Sequence, residues 1–315
     1  MSPDEKYMRR ALFLAKKGEG RVSPNPMVGA VIVHRDRIIG EGFHAFYGGP
    51  HAEVNAINSV KEKDRHLLKD STIYVTLEPC AHHGKTPPCA NLIVNTGIPD
   101  VVIGSLDPNP LVAGKGVKIL EDAGVNVTQG ILEKECRDNN RRFMFAQVTD
   151  RPYIQLKWAQ SADGFMAAAD EENMPVNVKF SNQVSSVWMH RQRAAADAIM
   201  VGGNTEKLDH PRLDTRLWGG NSPKKFVAHF DDHTTLPDRL KKMRKEGITS
   251  LMVEGGPNLL ESFLNEGLYD EIRVETSQIK LGRGLEAPAL PTDLVLVESH
   301  FCCGNLIRVF LRRDI

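Results

Sequence analysis

The chain has 315 residues, with 40 Lys+Arg balanced by 40 Asp+Glu, 41% hydrophobic residues and 25% charged ones. That composition is globular, and the length is enough for two cores. Zero formal charge argues against a general nucleic-acid binder, no apolar run approaches the ~20 residues of a membrane helix, and five cysteines make no disulfide framework. The opening Met1-Ser2-Pro3-Asp4-Glu5-Lys6 has no apolar signal region, so a reduced cytoplasmic location is expected.

The first half reads as an alternation. A helix is predicted from about Asp4 to Lys17, with Pro3 at its start and Gly18 past its end. Strand-like apolar runs follow at Val28–Val33, Ile38–Phe43, Ile73–Leu77, Val101–Ser105 and Val125–Thr128. Helical segments fall between them, around Ala52–Val60, Ala90–Asn95 and Gly116–Ala123. A hairpin followed by strand–helix alternation implies an α/β sandwich. A charged stretch, Glu133–Arg142, precedes Asp150-Arg151-Pro152, and Cys136 within it is expected to be exposed. The domain boundary is placed there, giving 1–147 and 148–315. The second half restarts with strands at Tyr153–Trp158, Ala198–Val201, Phe226–His229, Ser250–Val253, Glu271–Thr276 and Leu306–Leu311. Its helices are expected near Gln183–Ala195 and Leu259–Glu266, with a solvated helix face at Arg239–Lys245. This half is again α/β. Cys302-Cys303 beside the last strand reads as a buried apolar pair.

His51-Ala52-Glu53 opens a helix, Pro79-Cys80 follows a strand, and Cys89 follows Pro87-Pro88 at the start of another helix. One imidazole and two thiolates suit zinc, and three protein ligands leave a tetrahedral position for water. The metal lowers the pKa of such water toward ~7, so hydroxide forms at neutral pH. Loss of an amine also needs a proton shuttle, and Glu53 stands close enough to serve without ligating. Zinc nucleobase deaminases carry His-x-Glu followed by Pro-Cys-x-x-Cys; here eight residues separate the cysteines. Singly, each cysteine could be a buried apolar residue and His51 a helix cap. A structural zinc site would want a fourth ligand, which His82 or His83 could supply.

Pro24-Asn25-Pro26-Met27-Val28-Gly29, Gly42-Phe43-His44, His51-Ala52-Glu53 and the segment from Glu78 to Cys89 together resemble one family. It is the deaminase half of the bifunctional riboflavin-biosynthesis deaminase/reductases. The insert His83-Gly84-Lys85-Thr86-Pro87-Pro88-Cys89 carries the resemblance most strongly, with Asp107-Pro108-Asn109-Pro110 and Ala113-Gly114-Lys115-Gly116. It implies a cytidine-deaminase-like three-layer α/β/α domain acting on a diaminopyrimidinone that carries a ribosylamino 5-phosphate. His51, Cys80 and Cys89 would hold zinc, with Glu53 catalytic. Asn25 and His44 would touch the pyrimidine. Lys85, Thr86 and Asn109 would line the pocket or meet the phosphate. The longer insert and zero net charge separate the chain from the nucleic-acid deaminases.

Three glycine-bearing clusters mark the second half: Lys157–Gly164, Val201-Gly202-Gly203-Asn204-Thr205 and Val253-Glu254-Gly255-Gly256-Pro257-Asn258. Glycine at a strand-to-helix turn lets backbone N–H groups approach phosphate. No G-x-G-x-x-G fingerprint is present, so an ordinary dinucleotide-binding fold is unsupported. With Asp209–Arg216 and Leu281-Gly282-Arg283-Gly284, these clusters resemble the reductase half of the same family. That implies a dihydrofolate-reductase-like α/β domain using NADPH to reduce the ribosyl chain to ribityl. By that resemblance Ala159, Phe180, Thr205, Asp209, Gly255 and Gly256 contact NADPH. Arg193, Leu213, Arg216 and Glu254 contact substrate, the two guanidiniums being suited to a sugar phosphate.

Two departures stand out. Phe180-Ser181-Asn182 replaces a Trp-Ile-Thr or Trp-Ile-Ser segment, and the stretch from Lys224 to Glu254 is shorter than the family pattern. The resulting expectation is a two-domain enzyme with zinc and NADPH as cofactors. Its partner is a small phosphorylated ribosylaminopyrimidine, with no nucleic acid and no membrane, and the resemblance implies self-association through the second domain. The competing readings are a deaminase with a non-catalytic second domain, and a non-catalytic zinc-stabilised module that binds a metabolite.

Overall fold

Ser2 and Glu5 close the first helix reciprocally, each side chain accepting the other's backbone N–H at 3.2 Å. This capping box starts α1 (Pro3–Ala15). The structure, a computed structural model, describes residues 2–82, 87–110, 112–229 and 234–313. The chain divides into two units, Met1–Val148 and Thr149–Ile315.

In the first unit α1 leads to the hairpin β1 (Gly29–His34) and β2 (Arg37–Phe43). Then come α2 (Ala52–Ser59), β3 (Thr72–Leu77), α3 (Cys89–Thr96), β4 (Asp100–Ser105), α4 (Lys115–Asp122) and β5 (Asn126–Gln129). Two further helices, α5 (Glu133–Asn139) and α6 (Arg141–Val148), end the unit. The sheet order is β2-β1-β3-β4-β5. β1 is antiparallel to both neighbours, while β3, β4 and β5 run parallel.

Strand side chains alternate between faces. Ala30, Ile32, Ile73, Val75, Val101 and Ile103 pack with Ala52, Ala56, Ile93 and Leu120 of α2, α3 and α4. Val31, Val33, Tyr74 and Val102 pack with Tyr7, Met8 and Leu12 of α1 and Cys136 of α5. This is the expected three-layer α/β/α arrangement. Cys136 corrects the sequence expectation: it is fully buried. Charged neighbours hid the fact that one face of α5 covers the sheet.

The second unit begins with β6 (Tyr153–Gln160), β7 (Phe165–Ala169) and β8 (Pro175–Val176). α7 (Gln183–Ala194), β9 (Ala198–Gly202), α8 (Gly203–Asp209), β10 (Lys224–Ala228), α9 (Leu236–Lys245) and β11 (Ser250–Val253) follow. α10 (Pro257–Asn265), β12 (Glu271–Thr276), β13 (Gly284–Glu286), β14 (Leu294–Cys302) and β15 (Asn305–Arg312) complete it. Seven strands form one sheet, β10-β9-β11-β6-β12-β15-β14, and β13-β7-β8 form a second. The strands from β10 to β12 are parallel; β15 and β14 are added antiparallel.

Ile154, Leu156, Leu251, Val253 and Ile272 pack against Leu240 and Met243 of α9 and Leu260 and Phe263 of α10. Because β9, β11 and β6 are adjacent and parallel, their C-terminal ends meet at one edge of the sheet, where α/β folds bind ligands. β10 is the outermost strand, and α9 precedes β11, which lies two places in. Cys302 is half-buried and Cys303 exposed, on the β14–β15 turn rather than in the core.

Candidate active sites

In the first unit the site depends on how closely α2 lies on β2. A Cβ on Gly42 would overlap Ala56 N and Ala52 O, so only glycine permits that contact. The contact sets the start of α2. His51 is its N-cap residue in extended backbone, and Glu53 sits in its first turn. Cys80 lies just beyond β3, and Cys89 is the first residue of α3. The sulfurs converge on one ring nitrogen: His51 Nδ1 is 3.6 Å from Cys80 Sγ and 3.3 Å from Cys89 Sγ. Cys89 N donates to Cys80 Sγ at 3.3 Å. All three ligand atoms lie within 4.8 Å of one another, and among the described residues no fourth joins them.

Electrostatics couple these groups. The Cys89 hydrogen bond and the His51 imidazole pull the Cys80 thiol well below its ordinary value. The Cys80 hydrogen bond, burial and Glu53 push Cys89 up. His51 is raised, mainly by its Cys80 partner. Glu53 is buried, and its desolvation pushes the carboxyl up to about 7. Two soft thiols and an imidazole, preassembled with no fourth ligand among the described residues, fit a catalytic zinc ion.

Asn25 and His44 join this group. Asn25 Nδ2 meets His44 Nε2 at 3.1 Å, and His44 Nδ1 meets Pro50 O at 2.9 Å. His44 is buried, which lowers its pKa, and its ring meets His51 edge-on at 5.6 Å. A neutral ring donates to Pro50 O and accepts from Asn25. Asn109 is half-buried on the β4–α4 loop, its N–H donating to Asp107 Oδ1 at 2.8 Å. Lys85 and Thr86 lie outside the described residues, as does His83.

Glu78 escaped the sequence reading as a separate element. Its Oε1 accepts from Gly116 N (2.9 Å) and Val117 N (3.4 Å). Its Oε2 accepts from Gly114 N (3.0 Å) and Asp107 N (3.3 Å). One carboxylate thus ties the end of β3, two residues before Cys80, to the β4–α4 loop and the start of α4. The only sequence signal was an acid directly after an apolar strand.

In the second unit an open cleft of about 1360 Å³ lies over the C-terminal strand ends. Ala159, Phe180, Thr205, Asp209, Gly255 and Gly256 all line it, as do Arg193, Leu213, Arg216 and Glu254. Gly256 caps α10 and donates its N–H to Thr205 Oγ1 at 3.1 Å. Gly202 caps α8. The two helix starts face the same cleft, and both favour anions. Phe180 is buried and held through its carbonyl by Asn305 Nδ2 at 3.0 Å. Asp209 Oδ1 accepts from Asn177 at 2.9 Å.

Arg193 and Glu254 form a buried bidentate pair, Nε–Oε1 2.9 Å and Nη2–Oε2 2.7 Å. Arg193 Nη1 also reaches Asp214 O at 3.4 Å. Arg216 is half-exposed and pairs with Asp214 at 2.6 Å. Sequence reasoning named Arg193 and Glu254 separately and missed their partnership across 61 positions.

Residues 1–105 match the cytidine and deoxycytidylate deaminase zinc-binding region. Residues 152–233 and 222–295 match the RibD C-terminal domain, in two overlapping pieces. The riboflavin biosynthesis protein RibD of Aquifex aeolicus is 38% identical over 324 residues, covering 90% of this chain and 89% of that protein. The Escherichia coli RibD protein is 34% identical, covering 90% of each. Among solved structures, a diaminohydroxyphosphoribosylaminopyrimidine deaminase/5-amino-6-(5-phosphoribosylamino)uracil reductase from Thermotoga maritima superposes with a TM-score of 0.88. It is 33% identical, with 98% of both chains covered. RibD of Acinetobacter baumannii gives 0.84 at 30% identity, again over 98% of both. The chain belongs to the riboflavin biosynthesis protein RibD family, the bifunctional enzymes that join a zinc-dependent deaminase to an NADPH-dependent reductase.

Proposed function

We propose that the two sites act in turn on one phosphorylated ribosylaminopyrimidine, the first removing a ring amine as ammonia and the second reducing the ribosyl chain. The observation that carries the first step is the convergence of His51, Cys80 and Cys89 beside the buried Glu53 carboxyl. These three residues would hold zinc, which when bound supplies a Lewis acid that acidifies water. Glu53, poised to ionise near neutral pH, takes a proton from the attacking water. It passes that proton to the ring nitrogen and then carries the water's second proton to the departing amine. His44 and Asn25, already bonded to each other, present a fixed polar edge to the pyrimidine.

In the second unit the glycine starts of α8 and α10 would hold the cofactor's phosphates, with Thr205 fixing Gly256 and Asp209 lining the same cleft. Ala159 and Phe180, which line the cleft, would help hold NADPH, which when bound would supply hydride. Arg216 meets the substrate phosphate, while Arg193 keeps Glu254 ionised and aimed into the cleft. The full set of cleft residues favours an active reductase over a relic, despite the short β10–β11 connection. Mass spectrometry of the products, with and without NADPH, tests both steps. Oxygen should replace the amine in either case, and hydride should be added only with NADPH. Deamination without NADPH-dependent reduction would reduce the second unit to a scaffold; no turnover of either kind would leave a metabolite-binding module.

The second unit also supports self-association. β14 ends the large sheet and exposes Val295, Leu296, Val297 and Phe301, the last at 78%. An uncovered apolar edge strand is a pairing surface. Light scattering should find Leu296→Lys in a smaller species than the parent chain. Among the described residues no helix is long and apolar enough to cross a membrane, and five unpaired cysteines fit a reducing cytoplasm.

A further inference from the structure

His190 lies on α7, three residues before Arg193, and the reactions above leave it unused. Its ring is almost wholly buried, yet it lines the reductase cleft. Nδ1 is shielded from solvent and makes no hydrogen bond; it stands 3.9 Å from Asp214 Oδ1. Charged groups face the ring from three directions: Arg193 on α7 itself, Asp214 and Arg216 on the segment after α8, and Glu254 beyond β11. Lys157 of β6 lines the same cleft, its Nζ 3.1 Å from Met189 Sδ. A histidine with one nitrogen toward a carboxylate and its remaining surface on a cleft has the layout of an oriented acid–base group. Such contacts are often loose before substrate binds.

We propose that His190, oriented by Asp214, donates the proton that opens the ribosyl ring before reduction. The proposal rests on the reductase reading given above. In a ribosylamine, C1′ is saturated and bonded to both the ring oxygen and the amine nitrogen, so it cannot accept hydride until one bond breaks. The nitrogen lone pair forms C1′=N as the C1′–O4′ bond breaks. The released electron pair stays on O4′, which takes the proton from His190 and becomes a hydroxyl. Hydride from NADPH then adds to C1′, the π pair returns to nitrogen, and the cofactor leaves oxidised. One hydride and one proton are consumed, and His190 recovers its proton from solvent.

The surroundings suit that role. Burial and the two arginines hold the imidazole below its ordinary pKa, with Asp214 and Glu254 opposing. A proton there is readily given up. A phosphate dianion at Arg216 offsets the guanidinium field, so substrate binding itself favours the acid form.

Ring opening interconverts the α and β anomers, and this exchange can be followed by NMR on the ribosylamino phosphate with no cofactor present. The wild-type protein should accelerate the exchange, and His190→Gln should return it to the spontaneous rate. NADPH-dependent kcat should fall about 10²–10³-fold, in the range of general acid catalysis, with KM little changed. The kcat/KM profile should descend on the alkaline side from below the ordinary histidine pKa of ~6.5, and His190→Gln should lack that limb. Asp214→Asn, a milder and more exposed change, should lower exchange and kcat together, and it serves if the histidine variant folds poorly. Wild-type exchange and reduction rates in both variants would overturn the role of His190. Failure of the reductase reading looks different, because the unmodified protein would then neither exchange anomers nor consume NADPH.

Discussion

Replacing Glu78 by Gln changes one oxygen to an amide and leaves the shape almost untouched. The carboxylate accepts four backbone N–H groups, two on each oxygen. Glutamine can serve only one of these sides. If its oxygen stays with Gly116 and Val117, its NH₂ confronts the N–H groups of Gly114 and Asp107, and four hydrogens then compete for no acceptor. Hydrogen bonds to a charged group contribute about 1.5–3 kcal/mol each. One short bond lost, one long bond lost, and the charge removed from the other two together cost about 3–5 kcal/mol. For a unit of this size each kcal/mol lowers the melting temperature by about 2–4 °C, so a fall on the order of 10 °C is expected. Calorimetry of the whole chain should place that fall in the first unit's transition, and amide exchange should accelerate at residues 114–117. A loss under about 1 kcal/mol would refute the idea that this carboxylate organises the loop.

Three other outcomes follow from the geometry. Glu53→Gln should keep stoichiometric zinc and the fold while deamination falls at least ~10²-fold; an unchanged rate would remove Glu53 from the chemistry. Cys89→Ala should lose zinc by elemental analysis, because it deletes one of three ligand atoms; full retention would mean the ligand set is wrong. The buried Arg193–Glu254 pair should give the second unit an acid-sensitive limb. Burial opposes the Glu254 charge, but the Arg193 charge and hydrogen bonds overcome it and lower the carboxyl's folded pKa. Its contribution is therefore complete above the unfolded value of ~4.3 and is lost as pH falls through the lower folded value. Melting temperature against pH should show that limb, and Arg193→Met with Glu254→Leu should abolish it.

The metal cluster was legible because metal chemistry restricts the residue types and helix starts restrict their places. His51, Cys80, Cys89 and Glu53 carry that restriction in the sequence itself. Core strands such as β3 and β11 were legible from their apolar runs. β14 was not: Val295, Leu296 and Val297 are consecutive exposed apolar residues, without the alternation that marks a half-buried strand. α5 was misjudged at Cys136, since a mostly charged helix can still seat one small thiol against a sheet. The Arg193–Glu254 pair, the four N–H groups on Glu78 and the His190–Asp214 approach depend on segments far apart in the chain. Spacing along one sequence carries no signal for such meetings.

The two rims of the large sheet are treated oppositely. At β10 the outer strand begins with Lys224, largely solvated, and Lys225, which pairs with Glu206 at 2.7 Å. Bringing another strand alongside would strip water from these ammonium groups. At β14 the rim carries valine, leucine and phenylalanine instead. An assembly with one adhesive rim per subunit uses it up in a single two-fold contact and closes as a pair. Two adhesive rims would let each newcomer offer a fresh edge, and growth would run on into a fibre. Under the pairing proposed for β14, apolar residues in place of Lys224 and Lys225 would supply the second adhesive rim that open-ended growth needs.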